Sequence, residues 1–250
     1  MRSFLLNKKY ALILAFLLAA VIANSAYLLK DKNDLEPAIV ARVIDGDTIE
    51  LDDGRMVRLL NINSPEKSSP LHKESLNFLK QYENKGIYLE NEGVDKYKRT
   101  LGRIYSENIY LNLYLVKNGL ASKFLVSESE LSEFSDAESY AISNEKGIWE
   151  HSDYYKCISA EIKPIDEIII IKSDCEEINI AGWILKDESR KEYKFNITIS
   201  DNLILHSRQG NDNQTDLFWN SKTDIWNNDR DTLYIFDNEN KIVLAEPYGY

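Results

Sequence analysis

The hydrophobic pattern of this chain changes its period once, near residue 150, and that change constrains the fold more than any other feature. Before it, alternating apolar runs are interleaved with stretches of helical spacing. AIVARVI and TIELDDGRMVRLLNI, from Ala38 onward, alternate as strands do, and Asp53-Gly54 supplies a hairpin turn between apolar runs. Leu76, Leu79 and Tyr82 recur at helical spacing, IYLENE and TLGRIYS read as further strands, and a last helix is expected around Phe134 to Asn144. Asn112 is placed to cap a short helix reaching Lys117, and Gly119 sits where a left-handed residue ends it. Beyond Glu150 the helical spacing disappears. EIIIIKS, INIAGWILKD, KFNITIS, NLILHS, DTLYIFDN and KIVLAE are short strands separated by turn residues. Such a chain must bury two cores, one mixed and one all-β.

The N-terminus is read apart from both. Arg2, Lys8 and Lys9 precede an uncharged apolar run from Tyr10 to Leu29, long enough to span a bilayer. The order is that of a secretory signal: basic, apolar, then small residues at Ala23, Asn24, Ser25 and Ala26. The small residues favour cleavage, whereas Tyr27, Leu28 and Leu29 extend the run toward a retained anchor, which would tie the chain to the membrane. Residues 1–30 are therefore a signal peptide or membrane anchor and 31–37 a polar linker ending in Pro37. Everything beyond Lys30 is expected outside the cytoplasm.

Charge and cysteine usage narrow the chemistry. Beyond residue 30 the chain carries 26 basic against 41 acidic residues, a net charge of −15. That is the wrong sign for a protein held to nucleic acid by a broad basic surface. Any nucleic-acid chemistry must rest on a local site with the help of a metal. Cys157 and Cys175 are either a disulfide, as an oxidising exterior favours, or two buried thiols. His72, His151 and His206 lack zinc-ligand spacing.

Three clusters in the first half combine acids with arginines: Asp45-Gly46-Asp47-Thr48, then Arg58 followed by Asn63-Ser64-Pro65-Glu66, then Asp95-Lys96-Tyr97-Lys98-Arg99. Each alone reads equally well as a turn or a solvated face. Their order and spacing, IDGDTIEL, VRLLNINSPE, DKYKRTLGRIY and LVKNGLA, together resemble the staphylococcal nuclease (thermonuclease) family over about Ile39 to Glu150. The resemblance implies an α+β domain over residues 38–152, a five-stranded OB-fold barrel with helices. It also implies a Ca²⁺-dependent phosphodiesterase that cleaves DNA or RNA to 3′-phosphate ends.

By the same resemblance Asp47 is a calcium carboxylate, with Asp45 a supporting acid nearby. Arg58 and Arg99 grip the scissile phosphate, and Glu66 orients or deprotonates the attacking water. Lys96 and Tyr97 hold a terminal phosphate. The residue types suit the chemistry. Guanidiniums offer planar, permanently charged donors, a hard cation prefers oxygen ligands, and a carboxylate near water can act as general base. Two positions depart from the family pattern. Asn63 stands where the second calcium carboxylate is expected, leaving its amide oxygen and the Ser64 carbonyl as ligands. Leu125, beside Phe124, stands where a pocket tyrosine is expected.

The second half, residues 153–250, resembles a lamin-tail domain, an immunoglobulin-like β-sandwich, through AGWILKD with Trp183, DLFWN with Trp219, and IWNNDRDTLYIFDN with Trp226, Asn227 and Asn228. On the bland reading the tryptophans are core anchors and the asparagines cap turns. With 11 basic and 19 acidic residues from Asp153 on and no catalytic constellation, it is expected to bind or position an unknown ligand other than nucleic acid. The chain is expected to be a monomer. The rival to an exported nuclease is a catalytically weak nuclease-like scaffold serving as a surface binding module, which Asn63 favours.

Overall fold

The computed structural model describes residues 13, 17, 35–67 and 71–250. The expected signal or anchor segment lies outside the described residues except for Ile13 and Leu17. Residues 31–34 of the expected linker lie outside them too. Its last three residues are not linker: strand β1 (Leu35–Asp45) already pairs there with β5 (Gly86–Val94), Leu35 opposite Glu90. Proline is tolerated at position 37 because this part of β1 pairs with β5, whereas the pairing with β2 (Thr48–Leu51) begins only at Val40.

Five strands close into a barrel. The order runs β3 (Met56–Leu59), β2, β1, β5, β6 (Thr100–Ser106), and a parallel β3–β6 pairing shuts the ring. Register shifts in β1 after Val40 and Val43 supply the bend that closure needs. Gly102 permits the seam, since a Cβ there would stand 2.4 Å from Leu89 and 2.9 Å from Val57. Alternation fills the interior with Val40, Ile49, Leu51, Val57, Leu59, Leu89 and Ile104, each contributing about 1.5–3 kcal/mol by its burial. The expected Asp53-Gly54 hairpin joins β2 to β3, with Gly54 at φ +86°.

Three helices cover the barrel: α1 (His72–Lys80), α2 (Leu111–Lys117) and α3 (Leu131–Ser143). They add Leu79, Leu111, Leu115, Val116 and Phe134 to the core. Asn112 does not cap α2. It lies inside the helix, fully buried, where its Oδ1 accepts from the Ile104 amide and its Nδ2 donates to the Leu60 and Gly102 carbonyls. A buried strand edge presented the amide with better partners than the helix end did. Gly119 does take the left-handed conformation, and its carbonyl accepts from the Ile148 amide.

The second half is all β. One sheet runs β16 (Asp216–Phe218), β15 (Asn202–His206), β10 (Ile168–Ser173), β9 (Ile158–Lys163). Another runs β13 (Glu192–Lys194), β12 (Ile184–Lys186), β17 (Asp231–Phe236), β18 (Ile242–Tyr248). Both supply one core, with Ile169, Leu203 and Leu205 from the first, Leu185, Leu233 and Val243 from the second, and Trp183 and Trp226 from the loops. Cys157 and Cys175 form a disulfide across the open end of the β9–β10 hairpin, closing a loop of 18 residues. A loop of that size is worth about 3 kcal/mol when the unfolded chain is constrained.

The halves are packed together. Trp149 lies against Tyr234 and Phe236, in a separate cluster with Ala141 and Ile242. Backbone bonds from Ile242 to Glu150 and from Ser152 to Ile242 extend β18 onto the connecting segment.

Candidate active site

The barrel brings the three acid–arginine clusters to one place by pairing their strands. Thr48 lies opposite Arg58 in the β2–β3 ladder, and Arg58 lies opposite Leu101 in the β3–β6 seam, two residues from Arg99. Register therefore sets Arg58 against Asp47 and brings Arg99 near enough for its charge to act on Arg58.

Asp47 is buried at the turn between β1 and β2. Its Oδ1 accepts from the Thr48 hydroxyl at 2.9 Å, and its Oδ2 accepts from the Ser64 amide and hydroxyl, both at 3.0 Å. Gly46 lets the turn approach its neighbours, since a Cβ there would stand 2.6 Å from Ser75 and 2.7 Å from Ser64. Asp45 points to the start of α1, accepting from the Gly46 amide at 2.8 Å and lying 3.3 Å from His72 Nδ1.

Arg58 is clamped. Its Nη2 donates to the Ile62 carbonyl and to Asn63 Oδ1, both at 2.7 Å, and lies 3.5 Å from Asp47 Oδ2, while its Nη1 donates to the Leu59 carbonyl. Burial, first of all, pushes its pKa down; the charges of Arg99 and Arg190 push the same way, and Asp47 opposes them. Asn63 belongs to β4 (Ile62–Asn63), and its Nδ2 donates to the Glu188 carbonyl of the second half. Glu66 follows Pro65 and is exposed.

Arg99 is oriented by Asp95, which accepts from its Nε at 2.8 Å and lies 2.7 Å from its Nη2. Asp95 also accepts from the Tyr97 and Arg99 amides, so one carboxylate shapes the whole turn. Desolvation works to raise the Asp95 pKa, but the bonds from Arg99 and Tyr97 outweigh it and hold the carboxyl below its ordinary range. Tyr97 is exposed at 67%, with the Lys96 ammonium 5.1 Å and the Arg99 guanidinium 5.5 Å from its ring. Leu125 is exposed, at φ +47°, beside partly buried Phe124.

One member of the site comes from the other half of the chain. Arg190, at φ +69° in the turn between β12 and β13, pairs through Nη1 with Glu66 Oε1 and stands through Nη2 3.6 Å from Asp47 Oδ2. The pattern around it, KDESRKE, reads as an ordinary hairpin turn, and Glu66 lies 124 residues away. No sequence signal marks it.

The oxygen donors suit a hard divalent cation in kind. Asp47 Oδ2 and Asn63 Oδ1 both lie against Arg58 Nη2, at 3.5 and 2.7 Å, so the guanidinium itself takes the point they share. They supply a single carboxylate, and among the described residues no three His, Cys, Asp or Glu side chains gather as a metal cluster.

Comparison with known proteins agrees with the barrel's reading. A family model described as "Staphylococcal nuclease homologue" matches residues 56–151. Endonuclease YhcR of Bacillus subtilis is 31% identical over 139 residues, covering 46% of this chain and 11% of that protein. A protein of Haemophilus influenzae named "Uncharacterized endonuclease" is 32% identical over 122 residues, covering 47% of this chain and 65% of its own length. Thermonuclease of Staphylococcus intermedius is 40% identical over 98 residues, covering 34% and 58%. The chain thus spans less than two thirds of each of these relatives. Residues 56–151 are similar to staphylococcal nuclease, and the matches do not extend to the whole of those proteins.

Proposed function

We propose that this chain is an exported, Ca²⁺-dependent nuclease that hydrolyses phosphodiester bonds of DNA or RNA and leaves 3′-phosphate ends. The reading is supported by Arg58 lying 3.5 Å from Asp47 and across the β3–β6 seam from the strand that follows Arg99, with Glu66 linked to Asp47 through Arg190. Nuclease relatives match this same region. A phosphodiester resists attack because its oxygens are already negative, and more charge develops in the transition state. Two guanidiniums that keep their charge and planar geometry answer both problems.

Asp47, the Asn63 amide oxygen and the Ser64 carbonyl would hold Ca²⁺, which supplies further positive charge to the phosphoryl oxygens. Arg58 and Arg99 bind and orient the phosphodiester. Glu66 takes a proton from a water molecule, whose oxygen attacks phosphorus in line with the 5′ oxygen. The new P–O bond forms, the P–O5′ bond breaks, and the 5′ oxygen is protonated by solvent. Lys96 and Tyr97, exposed on the next turn, suit a neighbouring phosphate. With a net charge of −11 on the whole chain, attraction for nucleic acid is confined to this patch.

Export rests on the basic-then-apolar N-terminal segment and fits the Cys157–Cys175 disulfide. Two four-stranded sheets sharing one core support an immunoglobulin-like, lamin-tail reading of the second half. The test is cleavage of single-stranded DNA by the full chain in mild detergent, with Ca²⁺ or with a chelator. Cleavage that needs Ca²⁺, leaves 3′-phosphates and is lost in Glu66→Ala is expected. A folded chain that cleaves nothing at millimolar Ca²⁺ is instead a non-catalytic binding module.

A further inference from the structure

The contact of Arg190 with Glu66 and Asp47 joins the second half of the chain to the candidate active site, and its geometry asks what the guanidinium does there. Its hairpin is anchored without it. The Glu188 carbonyl accepts from Asn63 Nδ2, the Glu188 carboxylate pairs with Lys123 Nζ at 2.5 Å, and the Glu188 amide donates to Asp231 Oδ1. Within the turn, Asp187 accepts from the Lys191 amide and from the Ser189 hydroxyl. The Arg190 side chain can therefore change partners while the backbone that carries it stays fixed.

The donors of the two barrel arginines are unequally free. Arg58 is 12% exposed and directs three hydrogen bonds to the Leu59, Ile62 and Asn63 oxygens. Arg99 gives Nε and Nη2 to Asp95. Arg190 is 28% exposed, and its contacts are the two carboxylates that the proposed chemistry assigns to metal and water. A phosphate entering between them would offer that guanidinium the same charge-assisted, forked geometry. In a chain otherwise rich in acids, a third cation at this point also strengthens the local field.

We propose that Arg190 is a substrate-binding residue, a third guanidinium for the phosphodiester, so that the site is built across both halves of the chain. The inference rests on the nuclease reading for its cleavage arm but not for its binding arm. The probe is a fluorescein-labelled ten-nucleotide single-stranded DNA, used with the full chain. Binding is read by anisotropy in chelator and cleavage by kinetics in Ca²⁺. Arg190→Ala is expected to weaken binding and raise KM about tenfold with little change in kcat, the worth of one charge-assisted bond. Arg190→Lys should recover part of the loss. Arg230→Ala serves as control, because Arg230 pairs with Glu128 across the same interface without touching the site. It should leave binding unchanged while losing comparable docking contacts.

Unaltered binding in Arg190→Ala, or an equal loss in Arg230→Ala, overturns the proposal, since Arg190 would then act only by docking the domains. Tighter binding or faster cleavage in Arg190→Ala also overturns it, because the side chain would then block the site. A wild-type chain that binds the probe but does not cleave it removes the nuclease reading and leaves the Arg190 assignment to the binding data. A wild-type chain that does not bind the probe removes the Arg190 assignment itself.

Discussion

Arg58 is in place before any substrate arrives. Its three bonds to Leu59, Ile62 and Asn63 fix the guanidinium plane at the cost of most of its free donors. Pre-organisation of this kind suits a charge that appears only in the transition state. Asn63 pays part of that bill, since the amide oxygen that orients Arg58 is also an expected metal ligand. A carboxylate at this position restores one anionic oxygen beside Asp47. Asn63→Asp is therefore expected to lower the Ca²⁺ concentration for half-maximal cleavage about tenfold, because oxygen-site affinity follows ligand charge. A Ca²⁺ titration of cleavage rates checks this, and an unchanged midpoint places the cation away from residue 63.

At the scale of elements, the barrel depends on two side-chain choices that look unremarkable in the sequence. Gly102 opens the seam, and Asn112 ties helix α2 to strand β6 and to the Leu60 carbonyl. Asn112→Ala leaves a buried amide and buried carbonyls with fewer partners, a loss expected to cost about 3 kcal/mol of stability. Denaturant unfolding followed by circular dichroism measures it. A loss under 1 kcal/mol, the scale of a missing cap, would return Asn112 to the helix end. The strands, the Asp53-Gly54 turn and α1 were legible because period and turn chemistry are local. The role of Asn112 was not, because capping and bridging use the same amide, and only the neighbouring strand decides between them.

The whole molecule is held by an interface that carries buried charge. Lys123, 2% exposed, lies 3.4 Å from Glu138 and 2.5 Å from Glu188 and donates to Thr232, with the Tyr250 ring 3.6 Å away. Burial raises the Glu138 pKa, and Lys123 opposes that rise. Lys123→Met removes the cation from between two buried carboxylates and is expected to cost about 3–5 kcal/mol at neutral pH. Without Lys123 the folded-state pKa of Glu138 rises further above its unfolded value. The variant's deficit should therefore shrink as pH falls toward the ordinary carboxylate range, where the proton is bound in both states. Thermal melts across that range test both the size and the sign. A variant as stable as the parent at neutral pH would show that the halves do not rely on this network.

The sequence by itself determined the strands and helices of the first half, the order of its acid and arginine clusters, the turn at Asp53-Gly54 and the all-β character of the second half. Each depends on spacing between near neighbours, which period and turn chemistry record directly. Only the tertiary structure decided that Asn112 is a bridge, that Leu35 to Pro37 belong to a strand, that the cysteines are joined, and that Arg190 meets Glu66. These are contacts between distant segments, and their partners are selected by how two independently patterned halves pack. A lysine, a glutamate and an arginine spread from position 123 to 190 carry no shared period that would announce the meeting.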